Sequence, residues 1–307
     1  MEKNNDAYHI PVMLDECLNG LNINPDGIYV DVTFGGGGHS KAIFERLSSK
    51  GKLIVFDQDP DAKANAWQAD NFFFIESNFA FISNHLKLLK IPYVDGILAD
   101  LGVSSHQFDE GTRGFSIRSN DELDMRMNQK AAFSAKELIN EYEPENLARI
   151  FNQYGEIKSP MRIARDIIGA RNSKKIETTG DLIAILEPHA PKYKEHKFYA
   201  QIFQAIRIEV NDEMKVLEDF LVQTPDVLSD GGRLVVMSYH SLEDRLVKNF
   251  MKRGSLDGKI EKDFFGNILK PFTEINRHPI EAEESETAIN KRARSAKLRI
   301  SERNGRK

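Results

Sequence analysis

The chain has 307 residues, 40% of them hydrophobic and 29% charged, with a net charge of −5. That composition fits a soluble globular protein larger than one ordinary core, and the lack of an 18-residue apolar run excludes a membrane-spanning helix. The single cysteine, Cys17, excludes an internal disulfide and a Cys-x-x-Cys metal site. The opening MEKNNDAYHIPV lacks the apolar centre of a secretory signal, so a cytoplasmic protein is expected.

Strand and helix signals alternate over the first hundred residues. GIYVDVTF reads as a short buried strand, followed by the run Gly35 to Gly38. SKAIFERLSSK then places Ala42, Ile43 and Leu47 at helical spacing and stops at Gly51. KLIVFDQDP is a second strand ending in acid, and PDAKANAWQA suits a helix with Pro60 in its first turn. FFFIESNF is a third strand, FISNHLKLL a helix and VDGILADLG a fourth strand. Repeated βα units imply a parallel sheet with right-handed crossovers.

The rhythm then breaks. The next strand, GGRLVVMSYH from Gly231, lies about 130 residues past Asp100, far more than a βαβ unit needs, and the interval is helical in pattern. The expected organisation is a sheet domain built from residues 1–106 and 202–307, with a helical domain, 107–201, inserted in it. One helix from about Phe203 to Val222 leads back to the sheet. The last 17 residues carry eight Lys or Arg against one Glu, after the acidic EAEESE. A solvated tail or a basic surface for a phosphate backbone both fit.

Four glycines between a strand and a helix let a ligand approach the backbone closely. The dinucleotide pattern G-x-G-x-x-G is only partly met, because Ser40 or Lys41 falls at the third glycine position. Asp57 ends the second strand about 20 residues on, where a carboxylate can accept both hydroxyls of a ribose. NAD and S-adenosylmethionine both satisfy these two features. Asp100, at the carboxyl end of the fourth strand and followed by LGVSS, favours the methyl donor, whose cationic sulfonium an acid suits. Asp31, just before the loop, adds a second acid.

HIPVMLDECLNGL, VDVTFGGGGHS, FDQDP, GILADLGVSSHQFD, RGFSIR, LDMRM, FQAIRIEVN, GGRLVVMSYHSLEDR and RARSAKLR occur together and in order, from His9 to Arg303. They resemble the MraW-like family of bacterial methyltransferases, which use S-adenosylmethionine to methylate the N4 amine of a cytidine in small-subunit ribosomal RNA. The resemblance implies an α/β, class I (Rossmann-like) methyltransferase sheet with an inserted helical substrate-recognition domain. Its partner would be small-subunit ribosomal RNA in an assembled or nearly assembled subunit. It implies no membrane, and leaves the oligomeric state open, a dimer included. Carried over by position, the cofactor contacts are Gly37, Gly38, His39, Asp57, Phe79, Asp100 and Gln107. Gly37 and Gly38 would let the methionine moiety reach backbone N–H groups, and Phe79 would face adenine. Gly36 stands where the family more often carries a longer, basic residue, which suggests a more flexible loop.

Methylation at a pyrimidine C5 normally requires a cysteine nucleophile, and Cys17 sits in the helix-like MLDECLNGL, where a buried apolar role is expected. Direct transfer to a heteroatom is the better reading. An exocyclic amine is a poor nucleophile, so its N–H groups need a positioned acceptor, and Asp100 is the catalytic candidate. Leu101, Gly102 and Val103 follow it, with no ring to stack on a base, so Phe115 and Tyr239 are the aromatic candidates. His240, Glu243 and Asp244 lack the second half of a metal-ligand set. Substrate positioning is expected of them, and no metal. Arg113, Arg118, Arg126 and the basic C-terminal residues are candidates for phosphate contacts. Two rival classes, a nicotinamide oxidoreductase and a non-catalytic RNA-binding module, fit Ser40, the LGVSS segment and the two acids less well.

Overall fold

The computed structural model describes residues 11–104 and 113–305. The chain forms two compact units, one of residues 1–102 and 215–307, the other of residues 103–214. No described helix is long and apolar enough to cross a membrane.

The first unit holds a seven-stranded sheet. It consists of β1 (Ile28–Asp31), β2 (Lys52–Asp57), β3 (Phe72–Glu76), β4 (Val94–Asp100), β5 (Leu228–Ser238), β6 (Phe272–Glu274) and β7 (Lys297–Arg303). The order is β3-β2-β1-β4-β5-β7-β6, with the first five strands parallel and β7 antiparallel to both its neighbours. This is the class I methyltransferase sheet that the resemblance implied. The order reverses direction between β1 and β4, and ligands of open α/β sheets bind at that switch point, beyond the strands' carboxyl ends.

The central strands read as unbroken apolar runs because helices cover both faces. Ile54 and Val55 in β2 and Ile97 and Leu98 in β4 are all 0% exposed. Each such side chain contributes about 1.5–3 kcal/mol of burial. The helix α1 (Leu14–Leu21) precedes β1 and buries Cys17, Leu18 and Leu21; α2 (Gly38–Phe44) follows the glycine loop, and α3 (Ile82–Leu88) follows β3.

The segment PDAKAN, expected as an α-helix, is a 3₁₀ turn, Pro60–Asn65, with Asp59 capping it by accepting from Asp61 N. Pro60 suits such a start, and a tight turn is enough to carry the chain to β3. Within the basic C-terminal segment, Lys291–Ser295 forms a 3₁₀ turn and Lys297–Arg303 is β7, so its described residues are built into the fold rather than forming a solvated tail. Leu298 and Ile300 are buried, Arg299 pairs with Asp244 at 2.7 Å, and Arg303 donates to the carbonyl of Pro225 at 2.8 Å.

The second unit contains α4 (Ala135–Glu141), α5 (Pro144–Gln153), α6 (Pro160–Ser173), α7 (Thr179–Leu186) and α8 (Glu195–Val210). Capping boxes, Ser134 with Glu137 and Thr178 with Asp181, start α4 and α7, and Pro144 and Pro160 start α5 and α6. Leu138, Leu147, Phe151, Ile163, Leu182 and Ile202 belong to its core. The single helix expected near 203–222 is two, α8 and α9 (Glu213–Val227). Asn211 caps α8, and Asp212 takes a left-handed φ of 51° that no α-helix continues through. Because α8 buries Phe198, Ile202, Phe203, Ala205 and Ile206 in the helical core, this unit runs to Met214 rather than 201, and it starts at Val103.

Candidate functional site

The glycine loop is braced from within. Asp31, 1% exposed, accepts from Thr33 N at 3.0 Å and from the Ser40 hydroxyl at 2.6 Å, so its carboxylate is engaged inside the protein. Gly35 and Gly37 have φ of 49° and 76°, which favour glycine. A Cβ on Gly37 would lie 3.1 Å from the Phe34 ring, and one on Gly38 would lie 2.5 Å from Pro11 Cγ. The chain therefore passes this point as bare backbone for steric reasons at both positions.

Asp57 closes the loop from the neighbouring strand. Its Oδ2 accepts from Gly35 N at 2.7 Å and its Oδ1 from Asp59 N at 2.8 Å. Each oxygen keeps lone-pair capacity for one more donor, as a vicinal diol requires. Burial raises the carboxyl to about 6, against the lowering effect of those two N–H groups. Asn65 Nδ2 donates to Gly35 O at 2.9 Å and ties the following turn to the loop.

Phe79 begins the turn after β3, and its ring meets Phe220 edge-on at 5.3 Å. Asn78 caps this turn by accepting from Ala80 N, and it donates to the Gln58 side chain at 2.9 Å. The loop carrying Phe79 is thereby held to the loop that follows Asp57.

Asp100 is the meeting point of three segments. Its N–H donates to Thr33 Oγ1 at 2.7 Å, linking β4 to β1. The Tyr239 hydroxyl, just past β5, donates to Asp100 Oδ1 at 2.7 Å. His39 Nδ1 lies 3.7 Å from Asp100 Oδ2, while its Nε2 sits 3.0 Å from the Val12 carbonyl. That carbonyl can only accept, so Nε2 carries a proton. A neutral ring would then turn a lone pair towards the carboxylate, and the contact is attractive only with a further proton between them. Burial raises Asp100 to about 6, with His39 and the Tyr239 hydroxyl pulling the other way. Burial, and then the Asp100 charge, push the Tyr239 phenol well above its usual value, so it remains a donor.

The sequence-predicted residues divide clearly. Gly37 caps α2 and Gly38 and His39 open it, Asp57 bonds to the preceding loop at Gly35, and Asp100 approaches α2 through His39. Gln107 lies outside the described residues. Tyr239 serves Asp100 rather than standing free, and its ring passes the position a Gly102 Cβ would take at 3.4 Å. Phe115 is 7% exposed in the helical core and is not a free stacking surface. His240 and Glu243 form the capping box of α10 (Ser241–Arg253), and Glu243 accepts from Tyr239 N at 2.9 Å. Arg113 donates to the carbonyls of Arg126 and Met127, and Arg126 pairs with Asp124. Arg118 is exposed. Cys17 is fully buried and free, and burial raises its thiol well above its usual value. Thr33 and Ser40 were missed by sequence reasoning. Their hydroxyls matter only because β1, the loop and β4 converge, although a threonine two residues past a strand acid is a usable signal.

A family model described as the MraW methylase family matches residues 6–304. A protein of Parabacteroides distasonis called ribosomal RNA small subunit methyltransferase H is 53% identical, over 99% of this chain and all of its own length. Proteins with the same description from Bacteroides thetaiotaomicron and Flavobacterium psychrophilum are 51% and 56% identical. They cover 99% and 95% of this chain, and 100% of each relative is matched. With the family model spanning nearly the whole sequence, the chain belongs to the MraW methylase family.

Proposed function

We propose that this chain transfers a methyl group from S-adenosylmethionine to the exocyclic N4 amine of a cytidine in small-subunit ribosomal RNA. The observation that carries the reading is Asp100, a desolvated carboxyl at the switch-point end of β4, held between His39 at the start of α2 and Tyr239. Its relatives' description supplies the RNA class. The bare glycine backbone and the two-oxygen acceptor Asp57 fit the methionine and ribose parts of the donor. Gly37, Gly38, His39, Asp57, Phe79 and Asp100 hold it, with Gln107 assigned by resemblance alone. When bound, the donor supplies a methyl group on a sulfonium.

The chain's own part is positioning. Asp100 accepts an N–H of the target amine, which turns the nitrogen lone pair out of conjugation and favours the charge that develops on it. Tyr239 holds Oδ1, and Oδ2, 3.7 Å from His39 Nδ1, keeps lone-pair capacity for the amine. The product nitrogen becomes acidic as it gains charge, so Asp100 can take its proton. Transfer to nitrogen is preferred to C5 because Cys17 is buried and its thiol is held protonated.

The helical unit, which begins at Val103 just past Asp100, is the substrate-recognition domain in this reading, and the enzyme acts in the cytoplasm on an assembled or nearly assembled subunit. The test is to incubate the protein with labelled S-adenosylmethionine and small-subunit RNA, naked and assembled, and to identify the methylated nucleoside by mass spectrometry. N4-methylcytidine is expected. A C5-methylated pyrimidine, or no label in either RNA, would overturn the assignment.

A further inference from the structure

The segment between α10 and β6 projects two bare aromatic rings. Phe264 and Phe265 are 97% and 85% exposed. They sit on a built turn. Asp263 Oδ1 accepts from Phe265 N and from Asn267 N, both at 2.9 Å, while Asp263 N donates to Asn267 O at 2.9 Å. Lys262 bridges Ile268, Leu269 N donates to Glu261 O at 2.8 Å, and Gly266 takes a φ of +86°. The turn satisfies its own polar groups and leaves its apolar ones in water, the mark of an interaction surface. The rings lie 5.7 Å apart at 87°.

The surroundings are cationic, although the whole chain is net acidic. Lys252, Arg253, Lys259, Lys262 and Lys270 lie between the end of α10 and β6. Lys259 and Asp257 pair at 2.9 Å and cancel, and Asp263 accepts hydrogen bonds within the turn, so Lys252, Arg253, Lys262 and Lys270 face the two acids Glu261 and Asp263. Aromatic rings interleaved with lysines match unpaired bases on a phosphate backbone.

The tip lies away from Asp100. The helix α10 starts beside Tyr239 and spans 13 residues, roughly 20 Å. Phe272 pairs with Arg303, and Glu302 with Arg233, so the stem joins the sheet at the amino end of the paired part of β5, opposite Asp100.

We infer that the Phe264–Phe265 tip is a second RNA contact. Its rings stack on unpaired bases, and Lys252, Lys262 and Lys270 meet phosphates, at a point remote from the methylated base. This rests on the proposed function and narrows its substrate class to an extended, structured RNA rather than a short oligonucleotide.

The double variants Phe264→Ser/Phe265→Ser, Phe264→Leu/Phe265→Leu and Phe264→Trp/Phe265→Trp test it against the full wild-type chain. The readouts are filter binding to a full-length small-subunit RNA transcript, and KM and kcat for methyl transfer to whichever form of that RNA, naked or assembled, the wild type methylates. The serine and leucine pairs are expected to weaken Kd and raise KM for RNA about tenfold, with kcat within twofold, and the tryptophan pair to stay near wild type, because stacking needs a flat ring. Unchanged S-adenosylmethionine affinity by calorimetry verifies folding. Wild-type RNA affinity in the serine pair, or in the leucine pair, overturns the inference. In that case co-sedimentation with phosphatidylserine vesicles or a shift in oligomeric state would identify the tip as a bilayer or self-association contact. If the wild type binds the transcript but methylates neither it nor the assembled subunit, the proposed function fails. The comparison of Kd values still decides the role of the tip, since it requires no turnover.

Discussion

The Tyr239 hydroxyl donates to Asp100 Oδ1 across 2.7 Å, joining the carboxyl ends of two adjacent parallel strands. The bond favours the charged form of Asp100 and opposes the burial that raises it to about 6. Removing it in Tyr239→Phe should move the carboxyl further up. The acid limb of the single-turnover rate profile should shift to higher pH, with a loss of about tenfold near pH 6 that recedes as pH rises. An unshifted limb would mean that Asp100 does not govern it.

Asp100→Asn keeps the shape, one acceptor oxygen for Tyr239 and a donor facing His39 Nδ1, so the variant should fold. Single-turnover methylation at saturating cofactor is expected to fall by about 10²-fold or more, beyond any loss of cofactor affinity that follows from the missing charge. If the full rate returns at saturating cofactor, Asp100 is a binding residue and the catalytic role is empty.

If it holds the ribose, Asp57 should set the pH range for cofactor binding. In the proposed reading ribose hydroxyls would donate to the carboxylate, so binding would favour its charged form, and the folded-state value of about 6 lies above that of a free Asp. Affinity should be full above pH 6 and fall as pH drops through it. Asp57→Ala should weaken binding by about 1–3 kcal/mol at pH 8 and remove the pH dependence. Calorimetry at pH 5, 6 and 8 reads both.

Thr33 Oγ1 accepts the Asp100 N–H at 2.7 Å. In Thr33→Val the shape remains but that N–H loses its acceptor, at a cost of about 1–3 kcal/mol. Urea denaturation measures the loss, and an unaltered midpoint would show that water replaces the hydroxyl.

Two arginines of the basic C-terminal segment should part company. The ion pair of Arg299 with Asp244 is nearly buried, with 8% and 13% of the side chains exposed. Arg299→Ala should cost about 3–5 kcal/mol by leaving the acid unpaired. Arg294 is exposed, so Arg294→Glu should leave stability alone, weaken RNA binding and flatten its salt dependence. Equal salt slopes would take Arg294 off the phosphate backbone.

Local pattern was enough for the parallel half of the sheet. KLIVFD and VDGILAD are apolar runs bounded by charged residues, and a run too short for a helix but buried on both faces is a central strand wherever the chain places it. The glycine run and the spacing to Asp57 were likewise legible, because a backbone without Cβ atoms is a steric statement that holds before folding. The strand β7 was not legible. KLRISER alternates apolar and charged residues, and its arginines read as solvated until Asp244 and the Pro225 carbonyl are brought beside them. Nor could the sequence say that Tyr239 belongs to Asp100, or that Thr33 supports it. The partners are 139 and 67 residues apart along the chain. Only the pairing of β4 with β1 and β5, at about 4.8 Å between strands, brings a hydroxyl within hydrogen-bonding reach of that carboxyl.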